Sequence, residues 1–211
     1  MNLSFKASAH KEDATWFLQV EEPFVFESGG SIPKATLAYE TWGELNQDRS
    51  NAVLILTGLS PNAHAASSED DPTKGWWEPM VGPGKPIDTK KHFVICVNSL
   101  GSCQGSTGPG CINPETGKSY RLSFPDLVIP DIAKGAAMVL EYLQISQLRA
   151  VVGPSMGGMS CLALLRMYPN ISRHALLIST AARAEPFAIA IRSLQREIIV
   201  RDPNWQDGAY T

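Results

Sequence analysis

The run Gly-Pro-Ser-Met-Gly at residues 153–157 is the feature that most constrains the fold. It follows an apolar stretch, residues 148–152, and precedes residues 160–168, whose apolar side chains recur at helical spacing. Glycines flank the serine because only small residues fit around a very tight turn between a strand and a helix. The sequence therefore predicts that the Ser155 hydroxyl is exposed at a helix N-terminus, where backbone N–H groups favour an oxyanion.

Strand-like and helix-like patterns alternate along the rest of the chain. Buried strands are predicted at residues 52–57, 93–97, 148–152 and 175–179, and helices at residues 130–143, 160–168 and 186–201. Two earlier β-type runs, residues 24–26 and 36–41, are separated by two glycines and predict a hairpin-like antiparallel entry to the sheet. The alternation predicts an α/β fold, mostly a parallel sheet with helices on both faces.

Composition limits the class of protein. With 211 residues and 44% hydrophobic content, residues 1–211 are predicted to form a single domain. A net charge of -3 without a Lys/Arg cluster argues against nucleic acid or an anionic membrane as partner. The first thirteen residues are too polar for a signal peptide or membrane span, which predicts a cytoplasmic protein. No CxxC pair occurs, so free thiols and no metal site are predicted for Cys96, Cys103, Cys111 and Cys161.

Two loops rich in small residues follow predicted strands, at residues 58–68 and 98–109. Loops in this position often carry function. The second loop has the composition of an anion cradle, but no Gly-Lys-Ser/Thr follows, so it is not a P-loop. We interpret it as a structured loop beside a pocket.

The sequence shows no general base for Ser155. In a triad ordered Ser, Asp/Glu, His, the histidine follows the nucleophile, and only His174 does so here. His174 begins a predicted strand, whereas catalytic groups gather at the carboxyl ends of strands. Glu185 can supply an acid but not the missing histidine. His64 lies within the loop at residues 58–68 and is expected only to pack there. The chain is therefore predicted to hold a nucleophile without its base.

Several motifs together resemble the homoserine O-acetyltransferase family of α/β-hydrolase-fold acyltransferases. They lie at residues 56–64 (LTGLSPNAH), 75–78 (GWWE), 81–89 (VGPGKPIDT), 98–109 and 153–159. The likeness runs from about residue 36 to residue 210. Two features, the LTGLSP loop and the RSLQRE run at residues 192–197, look more like the branch that acylates L-serine with succinyl-CoA.

The resemblance implies a ping-pong acyl transfer in cysteine or methionine biosynthesis. Ser155 would take an acyl group from succinyl-CoA or acetyl-CoA, which is a co-substrate and not a bound cofactor, and pass it to L-serine or L-homoserine. The oxyanion hole would be formed by the N–H of Met156 and that of Leu56 or Thr57.

The resemblance also assigns residues that bind the amino acid. Arg196 matches a family arginine for the substrate carboxylate, Arg192 lies one turn earlier, and Tyr210 matches a tyrosine near the substrate. A solvated helix face is the alternative for both arginines. The family also favours a homodimer.

Family members place the catalytic Asp and His beyond the position of Thr211. The C-terminal part of the fold is therefore expected to be absent, and the chain to be an N-terminal portion with negligible activity alone. Two alternatives stay open: an esterase of the same fold, and a catalytically incomplete binding module.

Overall fold

A computed structural model describes residues 5–209, except for the side chain of Asp207. Eleven strands are described: β1 Ala7–Glu12, β2 Thr15–Val20, β3 Phe24–Val25, β4 Ser31–Ile32, β5 Ala35–Trp42, β6 Ala52–Leu56, β7 Val81–Gly82, β8 Ile87–Asp88, β9 Phe93–Val97, β10 Ala150–Pro154 and β11 Ala175–Ile178. The α-helices are α1 Ile129–Tyr142, α2 Met156–Met167 and α3 Pro186–Val200, with 3-10 turns at Arg121–Ser123 and Gln206–Gly208.

Seven strands form one sheet in the order β1, β2, β5, β9, β6, β10, β11. Strands β9, β6, β10 and β11 run parallel to one another, while β1, β2 and β5 join them through antiparallel pairings. The parallel strands are consistent with the predicted α/β fold. They also bring the carboxyl ends of β6, β9 and β10 to one edge, so the loops that follow them meet there.

Residue alternation in the central strands builds a core on each face of the sheet. In β6, Leu54 and Leu56 belong to the core under α1 and α2, whereas Val53 and Ile55 belong to the core on the opposite face. That second face is covered by the segment 63–88, which carries β7 and β8. Strand β6 is therefore buried on both sides, as its continuous apolar run predicts.

The C-terminal elements are much less covered. All four residues of β11 and all fifteen residues of α3 are exposed. The predicted strand and helix are both present, but the prediction that the strand at residues 175–179 is buried is wrong for this chain. An apolar pattern reports what a strand is suited to bury, and in the described chain little covers β11.

The N-terminal part of the sheet differs from the prediction. Residues 24–25 pair with residues 31–32 in a small separate sheet, so the predicted run at residues 36–41 is not their partner. That run lies in β5, which pairs with β2 and β9. Strands β1 and β2 were not predicted, although the aromatic and β-branched run of β2 is a usable signal.

Candidate active site

Ser155 lies between β10 and α2 in a strained backbone conformation. Its φ of 55° and ψ of -122° are unusual for a residue with a side chain. Its N–H donates to the carbonyl of Ile178 at 2.9 Å, and its carbonyl accepts from the N–H of Gly158 at 3.0 Å. The side chain is exposed, and its Oγ has no hydrogen-bond partner among residues 5–209. The predicted turn with an exposed hydroxyl is therefore present.

The glycines around Ser155 are required by backbone contacts. A Cβ on Gly157 would lie 2.0 Å from the Leu56 carbonyl oxygen, and one on Gly153 would lie 2.3 Å from the Gly157 carbonyl. A Cβ on Gly158 would instead meet the Thr180 side chain at 2.5 Å. The start of α2 therefore lies directly on the end of β6, which is why only small residues fit.

The predicted oxyanion donors lie at this junction. Within residues 5–209, the N–H of Met156 has no hydrogen-bond acceptor, and the N–H of Thr57 lies at the end of the β6–β9 ladder. Leu56 is the last residue of β6 and pairs with Val97. The Thr57 side chain is buried and lies 3.1 Å from the Ser99 hydroxyl. Free backbone donors next to an exposed serine are what an oxyanion hole requires.

None of the four histidines contacts Ser155 within the described chain. His174 precedes β11, and its carbonyl accepts from Val151, about 13 Å along the strand from Ser155. His10 stacks on Phe17 at the sheet edge, and His92 precedes β9. Residues 5–209 thus hold the serine and the candidate oxyanion donors without a visible base.

The residues predicted to bind the amino acid are not brought to Ser155. Arg192 and Arg196 are exposed on α3, and Arg192 donates to Gln195 of the same helix at 3.1 Å. Glu185 is the exposed residue that precedes α3. Tyr210 lies outside the described residues. The roles of Arg192, Arg196 and Tyr210 stay predictions.

His64 belongs to a polar group that sequence reasoning did not find, here called the His64 cluster: buried His64 and Glu40 with half-buried Asp71 and exposed Thr73. His64 Nδ1 lies 3.0 Å from Glu40 and 3.6 Å from Asp71, and Nε2 lies 2.9 Å from the Thr73 carbonyl. Although burial lowers it, hydrogen bonds to Thr73 and Glu40 and the two carboxylate charges raise the pKa of His64. Glu40 is the charged residue in the apolar run of β5, and this charge is the only sign in the sequence of a polar group at that position.

The loop at residues 98–109 lines an open cleft of about 410 Å³ together with Leu59 and Ser60. Buried Asn98 organises this loop, since its Oδ1 accepts from the Ser102 hydroxyl at 2.6 Å and from the Ser106 N–H at 3.0 Å. The cleft therefore lies beside the candidate oxyanion loop, where a structured loop was predicted, and its size is in the range of small-molecule sites.

The four cysteines carry free thiols, as predicted. Cys96 and Cys161 are buried, and burial raises the pKa of Cys161 to about 12. Among residues 5–209, no three His, Cys, Asp or Glu side chains are grouped closely enough to hold a metal ion. No helix in the same range has the length and apolarity needed to cross a membrane.

Known proteins match this chain in sequence. A family model described as alpha/beta hydrolase fold matches residues 51–210. A serine O-succinyltransferase from Xanthomonas axonopodis pv. citri is 59% identical over 196 residues, covering 93% of this chain and 49% of its own length. The chain thus spans about half the length of the curated relatives it matches.

Solved structures match it as well. Homoserine O-acetyltransferase from Bacillus anthracis superposes with a TM-score of 0.84 at 32% identity, covering 100% of this chain and 56% of that one. Esterase E22 superposes with a TM-score of 0.82 at 32% identity, covering 99% of this chain and 56% of that one. A transferase and a hydrolase thus share this arrangement.

Proposed function

The chain belongs to the alpha/beta hydrolase fold family, and from that premise we propose that the protein is an acyl-CoA-dependent O-acyltransferase. It transfers an acyl group to the hydroxyl of L-serine or L-homoserine in amino-acid biosynthesis. The observation that carries the proposal is the exposed, strained Ser155 beside the free Met156 N–H, in a chain 59% identical to a serine O-succinyltransferase.

In the first half-reaction Ser155 Oγ attacks the thioester carbonyl carbon of the acyl-CoA. The hydroxyl proton passes to a base, the carbonyl oxygen becomes an oxyanion, and the N–H groups of Met156 and of Thr57 or Leu56 donate to it. Collapse of this intermediate breaks the C–S bond, which leaves an acyl ester on Ser155 and releases CoA after protonation of its thiolate. Each oxyanion donor typically contributes about 3 kcal/mol to lowering the barrier.

In the second half-reaction the hydroxyl of the amino acid attacks the acyl ester through the same oxyanion intermediate. The O-acyl amino acid leaves, and Ser155 regains its proton. Arg196 would hold the amino-acid carboxylate, because a planar guanidinium makes paired hydrogen bonds to a carboxylate, and Arg192 is the neighbouring alternative. This role requires α3 to lie over the site.

The cleft beside Leu59 and Ser60 supports entry of the thioester arm of CoA from this side. Its walls combine backbone of the loop at residues 98–109 with small side chains, which suits a narrow, extended ligand. The proposal also includes a cytoplasmic location, where acyl-CoA is available, and a homodimer, which the family resemblance favours.

Mass spectrometry of the intact chain tests the acyl-enzyme. Incubation with succinyl-CoA or acetyl-CoA should add one acyl group slowly, because no base is visible, and Ser155→Ala should add none. Equal labelling of the two proteins would contradict the nucleophile. Turnover with L-serine or L-homoserine should be negligible for this chain, so robust turnover would contradict the missing base.

An esterase is the second candidate, and the superposition on esterase E22 favours it. The two functions differ in the acceptor, which is water for the esterase. CoA release should therefore be measured with and without each amino acid in a preparation that turns over. Acceleration by L-serine or L-homoserine with formation of the O-acyl product supports the transferase, and an unchanged rate supports the esterase.

A further inference from the structure

The loop between β6 and the segment 63–88 is held at both of its ends, since Thr57 is 1% exposed and His64 is buried, while its middle is open. Its first residues, Thr57 to Leu59, carry a candidate oxyanion donor, and Leu59 is 63% exposed. Its last residues are buried: Ala63, Ala65 and Ala66 are each no more than 3% exposed. The side chain of His64 is the polar group at this buried end.

The surroundings of the His64 ring determine its charge. Nδ1 faces the Glu40 carboxylate at 3.0 Å, and Nε2 faces the Thr73 carbonyl at 2.9 Å. The Thr73 hydroxyl, 3.2 Å from Nε2, donates to Asp71 at 2.7 Å and so can only accept from His64. Both ring nitrogens therefore face acceptor oxygens, an arrangement that favours the protonated, cationic ring.

Every titratable group facing this ring is acidic. Glu40 approaches from β5 and Asp71 from the segment 63–88. Buried Cys96 of β9 lies behind Glu40, and burial and the Glu40 charge raise the pKa of its thiol, so that it stays neutral. Glu40 also accepts from the Thr15 hydroxyl at 2.8 Å. His64 and Glu40 thus form a buried ion pair with half-buried Asp71 beside it, and a buried pair loses stability sharply when one partner is removed.

Backbone hydrogen bonds extend this anchor along the loop. The His64 carbonyl accepts from the Trp76 N–H at 3.2 Å, and the Asn62 side chain accepts from the His64 N–H at 3.1 Å. The Trp76 indole donates to the Asn62 carbonyl at 3.0 Å. Pro61 then limits backbone rotation between this anchor and Leu59.

We propose that His64 is a positioning residue for the oxyanion hole. Its ring is hydrogen-bonded to Glu40 and to the Thr73 carbonyl, and it thereby fixes the loop whose first residues donate to the oxyanion. The inference rests on the proposed function, in which Ser155 forms a tetrahedral intermediate. A donor acts only within hydrogen-bond distance of the developing oxyanion, and a misplacement of about 1 Å costs about 100-fold in rate.

A boronic acid tests this role without requiring a general base. 2-Carboxyethylboronic acid mimics the succinyl group: Ser155 Oγ bonds to boron and releases its proton to solvent, leaving a tetrahedral anionic boronate. Its affinity, followed by boron NMR titration, should fall about tenfold or more in His64→Asn. His10→Asn is the matched control, since His10 makes an exposed contact to Glu12 at 3.5 Å, and should bind like the wild type.

A double variant separates positioning from folding. His64→Asn leaves the Glu40 charge buried and unpaired, whereas Glu40→Gln with His64→Asn removes both charges and should recover stability. The double variant should still bind the boronic acid about tenfold more weakly than the wild type. Binding within twofold of the wild type by the folded double variant would overturn the proposal.

Two measurements do not depend on Ser155 chemistry. Nitrogen NMR of labelled His64 should show a pKa above the ordinary value of 6.5, and amide exchange at residues 57–59 should accelerate in the double variant. If the wild type binds no boronic acid, the proposed chemistry at Ser155 fails, and exchange decides the role of His64. Unchanged amide exchange at residues 57–59 of the double variant would then overturn the proposed role of His64.

Discussion

Strands β6 and β11 flank the nucleophile strand β10 on its two sides, and their surroundings are opposite. Every residue of β6 is buried between two cores, whereas every residue of β11 is exposed. The turn at Ser155 depends on both strands, through the contact of Gly157 with Leu56 and the hydrogen bond from Ser155 to Ile178. The side of the site next to β6 is thus fixed by packing within the described chain. The side next to β11 depends on a strand that is mostly uncovered.

Truncation of one leucine on each strand should give the largest difference. Leu54→Ala removes a side chain that is 0% exposed and should lower the free energy of unfolding by about 2 to 5 kcal/mol. Leu176→Ala, where the side chain is 49% exposed, should change it by less than about 0.5 kcal/mol. Urea denaturation of both variants measures this, and similar losses would remove the contrast between the strands.

Substituting alanine for each of the two glycines of α2 tests the contrast between the β6 side and the β11 side at the turn itself. The Cβ of Gly157→Ala would meet the β6 backbone, which cannot move away, so a loss of about 1 to 3 kcal/mol is expected. The Cβ of Gly158→Ala would lie 2.6 Å from the Thr180 Cβ, which rotation of that side chain does not move, but the segment beyond exposed β11 can shift, so a smaller loss of about 1 kcal/mol is expected. Thermal unfolding of the pair checks the order, and a larger loss at Gly158 would contradict it.

Self-association should come from the exposed C-terminal elements, through α3. One face of α3 presents Phe187, Ile191, Leu194 and Ile198, which are 78%, 42%, 58% and 64% exposed. Exposed apolar stripes of this kind promote association. Leu194→Glu should weaken self-association about tenfold, or about 1.4 kcal/mol, without lowering the unfolding temperature. Sedimentation at several concentrations measures this, with the substitution Lys90→Glu at an exposed position before β9 as control.

The smallest expected effect is on the pH dependence of stability in the segment 63–88, which covers one face of β6. Glu78 accepts from the Ser67 N–H at 2.8 Å and from Lys85 at 2.9 Å, and these hydrogen bonds lower the pKa of Glu78 from 4.5 to about 2. Because its pKa is lower in the folded state, Glu78 stabilises the fold above pH 4.5, and this contribution is lost as pH falls to about 2. Glu78→Gln should therefore show a flatter stability profile between these pH values, by urea titration.

The sequence was most informative where the backbone itself is constrained. The Gly-Pro-Ser-Met-Gly run predicted the turn, because its glycines meet backbone and sulfur atoms that leave no space for a Cβ. The buried strands at residues 52–57 and 93–97 followed from continuous apolar runs. Family resemblance, not periodicity, supplied the roles of Arg196 and Tyr210, and these roles stay predictions.

The sequence was least informative where partners lie far apart along the chain. His64 and Glu40 are 24 residues apart, and no local pattern shows that their side chains meet. Strand burial failed at residues 175–179 for a related reason, since apolar composition does not say which segment covers a strand. The hairpin partner of residues 24–25 was also wrong, because only a short turn at residues 26–30 separates them from residues 31–32.

The contact between Gly157 and the Leu56 carbonyl also bears on how such chains can diverge. The separation between the serine turn and the end of β6 is set by main-chain atoms, which every residue type carries. Side chains that line the cleft, which do not include those of the His64 cluster, can therefore be exchanged for others without altering the spacing between nucleophile and oxyanion donors. One scaffold can then accept different acyl groups and acceptors through changes in its walls, while any side chain at position 157 would collide with the β6 backbone.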